Sequence, residues 1–122
     1  MRQPTILVVD DSRMMLLSLK TQLEKRGYNV LTADNVLSAF SIAAWRDIDC
    51  CVLDYSMPTY NGTDAESFFL SRHIPTLYYS AFNVAEIREK TDLPIVSKMD
   101  NDHNKLFQQI DFMLRNSEAA YA

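Results

Sequence analysis

Five short apolar segments alternate with segments of helical spacing along the 122-residue chain, and this alternation limits the folds it can adopt. The apolar segments are "TILVVD" (5–10), "NVLTA" (29–33), "CCVLD" (50–54), "PTLYYS" (75–80) and "PIVSK" (94–98). Four of them are nearly continuous hydrophobic runs, which is typical of parallel strands covered on both faces. The second segment is more polar, so we expect it to be an edge strand.

The segments between these strands carry apolar residues at helical intervals. Met15, Leu19 and Leu23 follow an i, i+4, i+8 spacing, and Gly27 then supplies a helix stop. Thr63 and Glu66 match a capping box at the start of the third helix. The predicted helices cover residues 12–26, 36–46, 64–72, 84–90 and 102–115, and the fourth of them is short.

Five strand–helix alternations predict a doubly wound α/β domain with right-handed crossovers. Residues 1–116 are expected to form this domain, and residues 117–122, which are small and polar, a short C-terminal tail. A hydrophobic fraction of 48% is enough for a real core. The net charge of −4 disfavours direct binding of nucleic acid, because such proteins more often carry a basic face.

The two cysteines favour a reducing compartment. Cys50 and Cys51 are neighbours on a predicted strand and point to opposite faces, so a disulfide between them is not expected. Reduced core cysteines are typical of cytosolic proteins. The first apolar run is too short for a signal peptide or a membrane span. We therefore expect a cytoplasmic protein without a membrane partner.

Polar side chains end four of the predicted strands. Asp10 and Asp11 end the first strand, Asp54 the third, Ser80 the fourth and Lys98 the fifth. In a parallel sheet these ends share one edge, and ligands bind there at the point where the winding direction switches. For a strand order of 2-1-3-4-5, that point lies between the first and third strands. This order predicts that Asp10, Asp11 and Asp54 converge.

A cluster of three carboxylates has a defined chemistry. Two charges about 4 Å apart repel by roughly 4 kcal/mol at an effective dielectric constant near 20, so such a group takes up protons or binds a cation. Oxygen ligands at an open edge suit Mg²⁺. Lys98 is predicted to add positive charge on the other side of Asp54, and Ser80 to donate a hydrogen bond. Asp54 would then act as a nucleophile toward a phosphoryl group.

The complete pattern resembles the receiver domains of two-component response regulators, across essentially the whole chain. The resemblance is carried by "VVDDS" (8–12), "LDYSMPTYNG" (53–62), "YSA" (79–81) and "SK" (97–98), each following a predicted strand. Of these, the D-x-x-M-P-x-x-x-G pattern is specific and the others are individually weak. The resemblance implies a flavodoxin-like (βα)5 fold, CheY-like in type, and a signalling switch rather than a conventional enzyme.

By this resemblance, Asp54 is the phospho-acceptor and takes its phosphoryl group from a phosphohistidine. The donor would be a sensor histidine kinase or a histidine phosphotransfer protein, and the domain would catalyse its own phosphorylation and dephosphorylation. Ser80 is the hydroxyl switch residue, the Ala81 backbone N–H meets the phosphoryl group, and Lys98 pairs with a phosphoryl oxygen. A downstream protein target is implied, and a homodimer through the last helix is left open.

The resemblance also implies a Mg²⁺ site. Asp11 and Asp54 would bind the ion directly, together with the backbone carbonyl of Ser56. Asp10 would act mostly through water.

Three features depart from the family pattern. Ile95 replaces an aromatic switch residue three positions before the lysine, and Met99 replaces the proline after it. The bond before Met99 is expected to be trans, since a non-proline cis bond costs about 3 kcal/mol. The stretch between Ser80 and Lys98 is short, so the signalling surface is expected to be rearranged.

Two other functions match parts of the pattern. A phosphohydrolase of the haloacid-dehalogenase type also uses a strand-end aspartate with Mg²⁺, but Ser56 stands where its second aspartate belongs. A receiver-like scaffold that binds partners without phosphorylation fits the missing aromatic and proline. The retained acid cluster and Lys98 count against it.

Overall fold

Strands and helices alternate in the computed structural model, which describes residues 3–55, 62–81, 84–99 and 103–121. The strands are β1 (Thr5–Val9), β2 (Asn29–Ala33), β3 (Cys50–Leu53), β4 (Thr76–Ser80) and β5 (Ile95–Ser97). The helices are α1 (Arg13–Lys25), α2 (Val36–Trp45), α3 (Gly62–Ser71), α4 (Val84–Arg88) and α5 (Asn104–Tyr121). Every strand and helix that the sequence predicts is present, with ends that differ by a few residues.

The strands form one parallel sheet of order β2-β1-β3-β4-β5, which confirms the predicted doubly wound fold. The more polar β2 lies at an edge, as its composition predicts. In register, β1 pairs with β3 so that Val9 stands opposite Leu53. The residues that follow these two strands therefore emerge side by side at the carboxyl edge.

Both faces of the sheet are covered, which explains why its strands are almost continuously apolar. One core joins side chains of α1 and α5 to one face, among them Leu19, Leu23 and Ile110. The other core joins α2, α3 and α4 to the opposite face and includes the fully buried Phe69. The strand ends are thus fixed from both sides by packed helices.

The first helix begins and ends as its sequence suggests. The Ser12 hydroxyl oxygen accepts a hydrogen bond from the Met15 backbone N–H at 3.2 Å and caps the N-terminus. At the other end Gly27 has φ +94°, a left-handed conformation that glycine adopts without strain.

The capping-box interpretation of the third helix was wrong. The helix begins at Gly62, so Thr63 lies within it rather than before it. Both carboxylate oxygens of Glu66 are engaged elsewhere, by the hydroxyls of Tyr78 and Thr91. A local sequence pattern cannot register that two distant hydroxyls compete for the same carboxylate.

The last two helices differ in length. The fourth helix has only 5 residues, as expected from the short stretch between Ser80 and Lys98. The fifth runs to Tyr121 and so extends into the segment that the sequence predicts as a tail. Within the described part of the chain, the helices are too short or too polar to cross a membrane.

The cysteines are free and fully buried on opposite faces, in separate cores. Burial raises the pKa of Cys50 to about 12 and the pKa of Cys51 well above its ordinary value, because a thiolate is poorly solvated there.

We expect the native thiols to resist iodoacetamide at mildly alkaline pH and to react fully in urea, as read by mass spectrometry. Because the thiols ionise first in the unfolded chain, stability should fall as pH rises from about 9 toward about 12. Native alkylation at the unfolded rate would contradict this result.

Candidate functional site

The polar strand ends are held by backbone hydrogen bonds that continue the sheet beyond its regular strands. The Asp54 N–H donates to the Val9 carbonyl at 2.9 Å, and the Lys98 N–H donates to the Ser80 carbonyl at 2.8 Å. The Asp10 N–H is held in the same way from β2, at 3.1 Å. The backbone therefore fixes these residues at the carboxyl edge.

Three carboxylates meet at this edge, as predicted. Asp10, Asp11 and Asp54 each place an oxygen within 4.8 Å of the others. Asp10 and Asp54 are buried, whereas Asp11 is exposed. The cluster thus has a deep side within the sheet and an open side toward solvent.

The ammonium group of Lys98 enters this cluster from β5. Its Nζ lies 2.5 Å from Asp10 Oδ2 and 3.7 Å from Asp54 Oδ2. The Lys98 side chain is only 13% exposed, so water screens the pair weakly. The sequence predicts an ammonium on the far side of Asp54; in the structure it bridges two carboxylates and lies closer to Asp10.

The second oxygen of Asp10 has a role that sequence reasoning missed. Asp10 Oδ1 accepts a hydrogen bond from the Ser12 backbone N–H at 2.9 Å. The same serine caps α1, so Asp10 is tied both to Lys98 and to the start of the first helix. The sequence feature that could have predicted this hydrogen bond is the serine that directly follows the acid pair.

The remaining predicted site residues lie on β4 and beyond β3. Ser80 is the last residue of β4 and is fully buried, and Ala81 follows it at the surface. Ser56 lies outside the described residues. The structure thus brings Asp10, Asp11, Asp54 and Lys98 together and places Ser80 and Ala81 at the end of the next strand.

Aromatic side chains lie behind the lysine. Lys98 Nζ is 5.8 Å from the centre of the Tyr79 ring, and the Tyr79 hydroxyl pairs with His103 Nδ1 ahead of α5.

Ile95 is partly buried and stands opposite Tyr78 in the sheet register. Peptide bonds within the described ranges are all trans, including the one between Lys98 and Met99, as expected.

Comparison with known proteins agrees with this geometry. Residues 6–97 match the family model of the response regulator receiver domain. The chain belongs to this family. The predicted resemblance is therefore confirmed, and the chain is a receiver domain of the two-component type with the fold that its sequence predicts.

Curated relatives match part of the receiver domain. The chain is 38% identical over 60 residues to Protein PilH of Pseudomonas aeruginosa, and the match covers 49% of this chain and 50% of that protein. It is 37% identical over 59 residues to the transcriptional regulatory protein KdpE of Mycobacterium tuberculosis, covering 48% of this chain and 26% of that protein. The matches thus span half or less of these relatives.

A solved structure with the same fold is the response regulator TrrA from Thermotoga maritima, in complex with Mg²⁺-BeF. It superposes with a TM-score of 0.82 at 24% identity, covering 92% of this chain and all of that one (100%). At this identity the likeness shows the fold.

The donor set of the receiver domain suits a hard divalent cation. Three carboxylates lie within reach of one ion, and oxygen ligands with an open, solvent-facing side are what Mg²⁺ prefers. In the described residues, one ammonium faces two buried carboxylates and an exposed one, so the cluster keeps an excess of negative charge. The residues therefore fit the ion that the family implies.

Proposed function

We propose that this receiver domain is a Mg²⁺-dependent phosphorylation switch, with Asp54 as the phospho-acceptor. The observation that carries the proposal is the convergence of Asp10, Asp11, Asp54 and the Lys98 ammonium at one sheet edge. Asp54 is held there by its backbone, with an oxygen within 4.8 Å of the other two acids and another contact of 3.7 Å to Lys98 Nζ. A carboxylate in that position is oriented for attack. The neighbouring carboxylates can bind a cation, and the ammonium can bind a phosphoryl oxygen.

Asp10, Asp11 and Asp54 would hold Mg²⁺, together with the backbone carbonyl of Ser56. When bound, the ion neutralises charge on phosphoryl oxygens and on the acid cluster. Asp11 is the exposed member and is suited to direct ligation, whereas the buried Asp10, already paired with Lys98, would contribute through water.

The transfer step uses side chains of the chain itself. An Asp54 oxygen attacks the phosphorus, the bond from phosphorus to the donor nitrogen breaks, and the imidazole leaves with the electron pair. Lys98 would then leave Asp10 and pair with an oxygen of the phosphoryl group on Asp54. Its Nζ already lies 3.7 Å from Asp54 Oδ2. The Ser80 hydroxyl and the Ala81 backbone N–H would donate to the remaining oxygens.

Reversal of the switch is hydrolysis of the same bond. Water attacks the phosphorus, and the Asp54 carboxylate leaves as phosphate is released. The lifetime of the signal would depend on how freely water reaches this edge.

The partners follow from the chemistry of the donor. A phosphohistidine on a sensor histidine kinase or on a histidine phosphotransfer protein would supply the group, and a downstream protein would recognise the phosphorylated form. Curated relatives include sensor kinases, such as LuxN of Vibrio harveyi, which is 33% identical over 64 residues. A protein partner on both sides of the switch agrees with the net charge of −4, which disfavours nucleic acid.

Beryllofluoride, which mimics an acyl phosphate, tests the proposal without a kinase. We expect it to bind only with Mg²⁺ present and to shift the amide NMR signals of Ala81 and Lys98. The physical reason is that its fluorines would replace the phosphoryl oxygens that these two residues meet. Signals of the half-exposed α1 residue Lys20 serve as an internal reference, since its partner is Glu24 on the same helix. Absence of shifts at Ala81 and Lys98 would favour the non-phosphorylated scaffold instead.

A further inference from the structure

A polar network lies beneath the α4–β5 side of the sheet, outside the acid cluster. The Tyr78 hydroxyl donates to Glu66 Oε2 at 2.8 Å, and the Thr91 hydroxyl donates to Glu66 Oε1 at 2.7 Å. Tyr78 is fully buried and Thr91 is 7% exposed. One carboxylate of α3 therefore joins a tyrosine of β4 to a threonine between α4 and β5.

The network continues into the segment that connects α4 with β5. The Thr91 oxygen accepts a hydrogen bond from the Leu93 N–H at 3.1 Å. Arg88, on the last residue of α4, donates to the carbonyls of Thr91 at 3.2 Å and Leu93 at 2.9 Å. The position of Thr91 thus fixes both the end of the short helix and the approach to β5.

At its other end the network reaches the proposed phospho-acceptor. Tyr55 directly follows Asp54, and its ring packs edge-to-face on the Tyr78 ring with centres 5.3 Å apart. Tyr78 also lies two residues before Ser80 on the same face of β4. Tyr78 therefore contacts the residue that follows the proposed phospho-acceptor and shares a strand face with Ser80.

Ile95 cannot join this network through a hydrogen bond. It stands opposite Tyr78 in the register, and its aliphatic side chain offers no hydrogen bond. Tyr78 and Thr91 do carry hydroxyl groups, and both are bound to Glu66.

We propose that Glu66 is a positioning residue that couples occupancy of Asp54 to the arrangement of α4 and β5, through Tyr78 and Thr91. This inference rests on the proposed function, because it supposes that a phosphoryl group on Asp54 displaces Tyr55 or Ser80. Movement of Tyr78 changes where its hydroxyl meets Glu66, and the shared carboxylate passes that change to Thr91. Burial and the hydrogen bond to Glu66 raise the pKa of Tyr78, so this tyrosine stays a proton donor in the network.

The test replaces Thr91 with valine, which keeps the shape and removes the hydroxyl. Thr76→Val is the matched control, since Thr76 is also buried, on β4, and its hydroxyl donates to the Ile74 carbonyl rather than to Glu66. In the wild type and the control, beryllofluoride with Mg²⁺ is expected to shift the amide signals of Ala81 and Lys98 and also those of Ile87 and Val96.

In Thr91→Val the shifts at Ala81 and Lys98 are expected to persist, and those at Ile87 and Val96 to be lost. A merely structural threonine would already move the signals of Ile87 and Val96 before beryllofluoride is added, whereas the coupling changes their response to it. Full shifts at Ile87 and Val96 in Thr91→Val would overturn the coupling. The coupling would also be overturned if beryllofluoride shifted the Lys98 signal of the wild type but not those of Ile87 and Val96.

The failure of the proposed function has its own signature. A wild type without shifts at Ala81 and Lys98 overturns the phosphorylation switch and the coupling with it. Should Thr91→Val not fold, Glu66→Gln replaces it, because the amide NH2 that takes the place of one carboxylate oxygen donates and cannot accept from the hydroxyl bound there. The same separation of signals is expected, and its absence overturns the proposal.

Discussion

Replacement of Asp54 by asparagine is expected to reduce phosphoryl labelling by acetyl phosphate and Mg²⁺ to background. In the wild type an Asp54 oxygen attacks the phosphorus, the bond to the bridging oxygen breaks, and acetate leaves with the electron pair. An amide oxygen carries no full charge and does not form a stable acyl phosphate, so the loss should be complete. Intact-protein mass spectrometry measures the mass of one phosphoryl group gained per chain.

The fold should survive this substitution. Asp54 is one of three carboxylates that repel one another, and its contact with Lys98 Nζ is the longer of the two, at 3.7 Å. Removing one charge relieves repulsion while the Lys98–Asp10 pair remains. Loss of labelling can therefore be ascribed to the acceptor, provided that the variant unfolds in urea as cooperatively as the wild type.

Asp34→Asn is the matched control. Asp34 follows β2 at the same sheet edge, and its side chain is 43% exposed beside Arg13. It lies apart from the three-acid cluster, so labelling should equal that of the wild type. The Asp54→Asn variant could instead be labelled as fully as the wild type, with a label that hydroxylamine removes, as it removes an acyl phosphate. That result would place the acceptor on another carboxylate.

The convergence of the acids was predictable because it depends on topology. Continuous apolar runs identify parallel strands, and parallel strands put their carboxyl ends along one edge. Once β1 and β3 are neighbours, the backbone brings Asp10 and Asp54 side by side whatever their side chains do. The sequence pattern needs only the strand order to place them.

The partners of individual side chains were not predictable in the same way. Lys98 Nζ lies 2.5 Å from Asp10 and 3.7 Å from Asp54, a difference that a spacing pattern along the sequence does not contain. Glu66 matches a local capping box, yet its oxygens bind hydroxyls that lie 12 and 25 residues away along the chain. Sequence patterns describe the next turn of a helix well, and competition from distant donors poorly.

Replacement of Lys98 by methionine is expected to lower the free energy of unfolding without Mg²⁺ by about 3–5 kcal/mol. Methionine keeps most of the aliphatic length beside Tyr79 and removes the ammonium. Asp10, whose side chain is 4% exposed, then keeps the Ser12 N–H as its partner among the described residues, where the three carboxylates also lose their cationic neighbour. Such a loss is a large part of the roughly 5–15 kcal/mol that stabilises a typical domain. Urea denaturation in a chelating buffer measures it.

Mg²⁺ should reverse much of this loss, because a cation that binds the folded state alone stabilises it by mass action. The variant should gain more stability from Mg²⁺ than the wild type, since its acid cluster has lost its internal counter-charge. Lys20→Met is the control: its exposed pair with Glu24 on α1, at 3.6 Å, is worth about 0.5 kcal/mol or less and should not respond to Mg²⁺ differently from the wild type. Equal stability of Lys98→Met and the wild type without Mg²⁺ would mean that the three carboxylates do not depend on the ammonium, and the electrostatic account of this site would be wrong.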